Sequence, residues 1–134
     1  KVAKDKAHRA ICGLSMGGGH SFDISRRFPT KFDYIGLFSA GLHVSTTGDF
    51  RNDFYKQLQG NEEAKTQLAT LFKNKPKLYW IGMGKTDFLY KSSADLRRYF
   101  DEKGYKYTYL ETEGGHIWRN WRVYLTEFAQ KIFK

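Results

Sequence analysis

Arg9-Ala10-Ile11-Cys12-Gly13-Leu14-Ser15-Met16-Gly17-Gly18-Gly19 joins a short apolar run to a cluster of glycines through a single serine. An apolar strand, a very tight turn and a helix are what a nucleophile elbow requires: the serine takes up a strained backbone that lifts its hydroxyl clear of the sheet. Small residues two positions before and after the serine relieve that turn, and Gly13 and Gly17 occupy those positions. Gly18 and Gly19 then let the helix approach the sheet closely. The turn also puts the Met16 backbone N–H at a helix N-terminus, where it can donate to an oxyanion. Two other glycine-rich loops are excluded by spacing. A phosphate loop needs Gly-x-x-x-x-Gly-Lys-Ser/Thr, and a dinucleotide loop needs glycine where Ser15 stands.

A serine hydroxyl is a weak nucleophile without a base. The histidines are His8, His20, His43 and His116. On this fold the order along the chain is serine, acid, histidine, and His116 fits it. It follows a strand and the pair Gly114-Gly115, at the carboxyl end of a sheet where active sites of parallel sheets form. His8 precedes the elbow strand and belongs at the opposite end. His20, in the helix after the serine, is a candidate pocket residue but is poorly placed to be the base. His43 reads either as a cleft residue or as a surface histidine. The acid is expected after a strand, and Asp87 stands just past the run Lys77 to Met83. It would hold the imidazole tautomer and stabilise the imidazolium. Its alternative role is to cap the helix that follows. Asp95, Glu111 and Glu113 are weaker candidates.

Outward from these residues, strand-like and helix-like segments alternate, which predicts an α/β fold with about four parallel strands flanked by helices. Strands are expected over 9–14, 34–39, 77–83 and 105–111, the last as a partly exposed edge. Helices are expected over 17–27, 62–72 and 92–103, with Ser92 or Ser93 as cap and Gly104 as stop. Residues 41–60 read as a loop with a short helix. Trp118, Trp121, Leu125, Phe128 and Ile132 are spaced 3, 4, 3 and 4 apart, predicting a last helix that packs this stripe on the sheet.

The 134 residues are 40% apolar and 17% aromatic, enough to bury a core. No run reaches the ~20 apolar residues of a membrane span. The net charge is +9, but the lysines and arginines are scattered and no nucleic-acid motif accompanies them. A solvated basic surface that steers acidic substrates accounts for the charge. Cys12 is the single cysteine, so no internal disulfide forms, and within an apolar run it is expected to be a small buried hydrophobe. The histidines lack ligand-like spacing, so no metal is implied. Trp80, Tyr90 and Trp118 are candidates to touch an aryl or sugar group, with core packing as the alternative.

Gly13-Leu14-Ser15-Met16-Gly17-Gly18-Gly19 and Gly114-Gly115-His116-x-Trp118-x-x-Trp121-Arg122 together resemble the esterase family of α/β hydrolases that holds feruloyl and acetyl xylan esterases, enterochelin esterases, S-formylglutathione hydrolases and mycolyltransferases. The histidine motif is most similar to the feruloyl esterase branch. The resemblance implies a secreted or periplasmic serine esterase that needs no cofactor. It would act on feruloyl or acetyl esters of plant cell-wall polysaccharide, with Ser15, Asp87 and His116 as triad and the Met16 N–H in the oxyanion hole. His20, His43 and Trp118 would be substrate contacts. Siderophore or small-thioester hydrolysis is a second reading, and a non-catalytic carbohydrate- or partner-binding domain a third. Such domains are about twice this length. Residues 1–134 are therefore expected to be the carboxyl-terminal half of one, with the amino-terminal strands and the loop carrying the second oxyanion donor upstream. Losing one donor costs about 2.7–4 kcal/mol of transition-state stabilisation. The segment alone is thus expected to be weakly active or inactive, and to form homo-oligomers through the exposed edge of the elbow strand.

Overall fold

The computed structural model describes residues 3–44 and 53–134. Among the described residues four parallel strands, β1 (Ala10–Leu14), β2 (Tyr34–Phe38), β3 (Leu78–Gly84) and β4 (Thr108–Thr112), form one sheet in chain order. Ala10 pairs with Tyr34, Tyr34 with Leu78 and Trp80 with Thr108, so all carboxyl ends rise on one side. Each return is helical: α1 (Met16–Arg27) follows β1, α2 (Phe54–Gln59) and α3 (Glu62–Lys73) follow β2, α4 (Tyr90–Lys103) follows β3, and α5 (Trp118–Ala129) follows β4. This is the expected α/β architecture. Much of the stretch 41–60, expected as a loop, falls in residues 45–52, outside the described residues. Its short helix is α2. Among the described residues no helix is long and apolar enough to cross a membrane.

Strand side chains alternate between two cores, as a pleated sheet covered on both faces must. Ile35, Leu37, Tyr79 and Ile81 point to one face, where they meet Phe22 of α1, Leu68 and Leu71 of α3, and Leu96 and Phe100 of α4. Tyr34, Phe38 and Trp80 point to the other, under Tyr124 and Phe128 of α5. Glycines on that second face let α5 lie flat. A Cβ at Gly36 would meet the Phe128 ring at 3.0 Å, and one at Gly82 would meet Tyr124 at 2.9 Å. Trp80, only 1% exposed, is a core residue and has no surface for a ligand.

Several local expectations need correction. Helix α5 is turned part-way from the expected stripe: Phe128 is buried and Trp121 and Ile132 pack against its core, as expected. Its buried row is Asn120, Tyr124 and Phe128, while Trp118 and Leu125 are 71% and 56% exposed. Both rows keep helical spacing, and the glycine floor of the sheet selects the one that fits. Cys12 is exposed rather than buried, because β1 is the outer strand of the described sheet. Ser92 and Ser93 lie inside α4, which starts at Tyr90; Ser92 bonds back to the Leu89 carbonyl at 3.0 Å. Gly104 ends α4 in the left-handed conformation, as expected. Strand β4 starts at Thr108, not 105: the Tyr105 N–H donates to the Phe100 carbonyl at 2.9 Å at the end of α4, and its ring stacks on Phe72 of α3 at 4.3 Å.

Candidate active site

The site is built on loops at the carboxyl ends of β1, β2, β3 and β4. Ser15 stands between β1 and α1 with φ 57° and ψ −113°, a region that non-glycine residues rarely enter. Three backbone hydrogen bonds hold it there. Its N–H donates to the Phe38 carbonyl at 2.8 Å, and its own carbonyl accepts from Gly41 N–H at 3.0 Å and Gly19 N–H at 3.2 Å. The tightness of the turn rests on Gly13, where a Cβ would lie 2.1 Å from the Gly17 carbonyl oxygen. At Gly17, by contrast, a Cβ would meet nothing within 4 Å among the described residues. Both glycines were expected to prevent clashes; only Gly13 does so here, by clearing the backbone of Gly17. Gly18 and Gly19 do allow close approach: a Cβ would stand 2.7 Å from Ala40 Cβ and 2.3 Å from the Gly41 carbonyl, respectively.

The fold brings Ser15, Asp87 and His116 into contact. His116 Nε2 lies 3.0 Å from Ser15 Oγ, and His116 Nδ1 lies 2.9 Å from Asp87 Oδ2. With Nδ1 protonated, the imidazole donates to the carboxylate while Nε2 accepts from the serine hydroxyl. The Asp87 side chain is fully buried and that of His116 is 21% exposed. The two readings of Asp87 hold together, because its other oxygen, Oδ1, accepts from Leu89 N–H at 2.9 Å and shapes the turn into α4. The rival carboxylates are engaged elsewhere. Glu111 accepts from the hydroxyls of Tyr90 and Tyr109, which hold its carboxyl below the usual range. Glu113 pairs with Lys85 at 2.6 Å and Asp95 with Lys91 at 3.0 Å.

Such a chain can take a proton from the serine as its oxygen attacks a carbonyl carbon. Met16, the first residue of α1, has no intrahelical acceptor for its N–H, which can serve the resulting oxyanion. Beside Ser15 opens a cleft of about 320 Å³ lined by Met16, His20, Gly41, His43, Phe88 and Leu89. His20 and His43 are therefore both in its wall. Trp118 is not: it lines a separate apolar groove with Leu14, Phe38, Trp121 and Leu125. Tyr90 is turned to Glu111, and His8 pairs with Asp5 at 2.6 Å beyond the other end of β1. No group of three or more metal-ligating side chains occurs among the described residues.

Residues beyond the serine, acid and histidine also shape the site. The rings of Phe88 and Trp121 flank the imidazole at 5.0 and 5.1 Å. The Trp121 indole N–H donates to the buried Ser39 hydroxyl at 3.2 Å, and Asn120 donates to the Gly115 carbonyl at 2.9 Å. Trp121 belongs to the histidine motif, and the sequence signal for Asn120 is an amide placed in a helix otherwise rich in aromatics.

The chain resembles known proteins over nearly its whole length. It is 29% identical to an acetyl esterase of Caldicellulosiruptor saccharolyticus, an alignment covering 92% of this chain and 54% of that one. It is 31% identical to an endo-1,4-beta-xylanase/feruloyl esterase of Xylanibacter ruminicola, over 97% of this chain and 15% of the relative. The chain thus spans about half or less of the curated relatives it matches. A fluorophosphonate-binding serine hydrolase of Staphylococcus aureus shares the fold with a TM-score of 0.79 at 23% identity, over 99% of this chain and 57% of that one. The model of the family described as "Putative esterase" matches residues 1–132, and the chain belongs to that esterase family.

Proposed function

We propose that the protein is a serine carboxylesterase that acts through an acyl-enzyme on feruloyl or acetyl esters of plant cell-wall polysaccharide. The observation that carries this reading is the unbroken line from buried Asp87 through His116 to Ser15 Oγ, with both hydrogen bonds at or below 3.0 Å. Ser15 Oγ attacks the ester carbonyl carbon and its proton passes to His116 Nε2. The Met16 N–H supports the oxyanion. Collapse of the tetrahedral intermediate breaks the bond to the alcohol oxygen, which leaves with the proton from Nε2. Water, deprotonated by the same nitrogen, then releases the acid and restores Ser15. Asp87 holds the tautomer throughout and stabilises the imidazolium.

The substrate class follows the names of the acetyl esterase and the xylanase/feruloyl esterase relatives. The cleft agrees with it. Met16, Phe88 and Leu89 give an apolar side suited to an acyl group, and His20 and His43 give a polar side suited to sugar hydroxyls. An enzyme for a cell-wall polymer meets it outside the cytoplasm, and we place the intact protein there.

The test is hydrolysis by the full-length protein of methyl ferulate, acetylated xylan, a siderophore ester and S-formylglutathione. The first two should lead in kcat/KM, and Ser15→Ala should abolish turnover of both. Preference for the siderophore ester or the thioester overturns the substrate; turnover that survives Ser15→Ala overturns the mechanism.

A further inference from the structure

Position 120 is an odd place for an amide. Asn120 shares the buried row of α5 with Tyr124 and Phe128, and it is 3% exposed. A buried amide is costly unless hydrogen-bonded. Its Nδ2 donates to the carbonyl oxygen of Gly115 at 2.9 Å. That carbonyl belongs to the peptide that leads directly into His116.

We propose that Asn120 is a positioning residue for His116: it clamps the Gly114-Gly115 turn so that the imidazole bridges Asp87 and Ser15. The inference rests on the reading of His116 as the base. The turn needs a clamp, because two consecutive glycines leave the backbone free and Gly114 sits at φ +83°. The surroundings are arranged for one. The Gly114 carbonyl accepts from Thr86 N–H at 3.0 Å, which ties the turn to the residue before Asp87. Below lies Gly84, the last residue of β3. A Cβ there would stand 2.4 Å from the Gly114 carbonyl and 2.9 Å from Asn120 Nδ2, so glycine leaves the amide its path.

The neighbouring residue secures the ring itself. Trp121 packs edge-on against the imidazole at 5.1 Å and is anchored to Ser39. The first turn of α5 therefore fixes both the backbone before His116 and the plane of its ring. The Gly115 carbonyl also accepts from Ile117 N–H at 3.0 Å, so removing Asn120 leaves it one partner and the fold largely intact. What is lost is the restraint on the turn.

The experiment compares full-length wild type with Asn120→Leu and Asn120→Met, two uncharged variants close to asparagine in size that lack the donor. Expected is a fall in kcat of about tenfold to a hundredfold, the scale of a misplacement near 1 Å, with KM within about twofold and the melting temperature little changed. The far-downfield proton resonance of the His116–Asp87 hydrogen bond should shift or broaden. Unchanged kcat per titrated site in either folded variant overturns the proposal. So does an unmoved resonance in folded protein whose only defect is a lower melting temperature. A wild type without esterase activity would sink the esterase reading alone, and the resonance would still decide the role of Asn120.

Discussion

Replacing Gly13 with alanine should damage this protein far more than the same change at Gly17, although both glycines belong to one motif. At residue 13 the added Cβ would stand 2.1 Å from the Gly17 carbonyl oxygen, 2.2 Å from its carbon and 2.8 Å from Gly18 N. All three are backbone atoms of the first turn of α1, so no side chain can rotate away. Ordinary contact begins at 3.4 Å, so that turn must retreat by about 1.3 Å. Overpacking of this kind costs about 1–3 kcal/mol, and with only backbone to yield the upper end is expected. The moving turn carries the Met16 N–H and is bonded to Ser15, so kcat should fall by about a hundredfold. At residue 17 the Cβ meets open space among the described residues. In a helix alanine is favoured over glycine by about 1 kcal/mol, so Gly17→Ala should hold or raise stability. Urea unfolding of the two full-length variants, with kcat normalised to titrated sites, checks both. Gly13→Ala as stable and active as wild type, or Gly17→Ala equally harmful, would contradict the clash at residue 13 and the open space at residue 17.

Asp87→Asn should lower kcat by about 10⁴-fold, because the amide favours the wrong imidazole tautomer. Oδ1 keeps its bond from Leu89 N–H, so thermal unfolding should move little; a kcat within tenfold of wild type contradicts the role given to Asp87. Trp80→Ala should cost about 3–5 kcal/mol as a core truncation, while Trp118→Ala on the exposed side of α5 should stay within about 0.5 kcal/mol, both read from denaturant midpoints. Stability should also decline above pH 10. Burial pushes the hydroxyls of Tyr99 and Tyr107 up to about 12 from 10. The unfolded chain then releases their protons first, so the contribution is whole below pH 10 and lost as pH rises to about 12. Denaturant midpoints flat from pH 9 to 12 would contradict that.

What the sequence revealed is what local chemistry determines. The elbow is set by glycines within a few residues of Ser15, and His116 is marked by its own glycine pair, so both could be read without the fold. Asp87 was legible from its place after a strand. The rotation of α5 was not, because the rows through Trp118 and through Asn120 both repeat every three or four residues. Only the floor made by Gly36 and Gly82, far away in the chain, chooses between them. The same holds for Tyr105, whose alternating neighbourhood looked like strand but whose N–H donates to the Phe100 carbonyl and whose ring stacks on Phe72. Cys12 sits in an apolar run, yet its exposure depends on which strands flank β1. The bond from Trp121 to Ser39 crosses 82 residues, and no motif announces it.

Trapping the acyl-enzyme tests the role of Ser15 at the reacting atom itself. The full-length protein should be treated with a fluorophosphonate, or quenched during turnover of methyl ferulate, digested and sequenced by mass spectrometry. One covalent adduct is expected, on Ser15 Oγ, absent from Ser15→Ala and slowed by Asp87→Asn. Adduct on any other residue, or labelling undiminished in Ser15→Ala, would contradict that role.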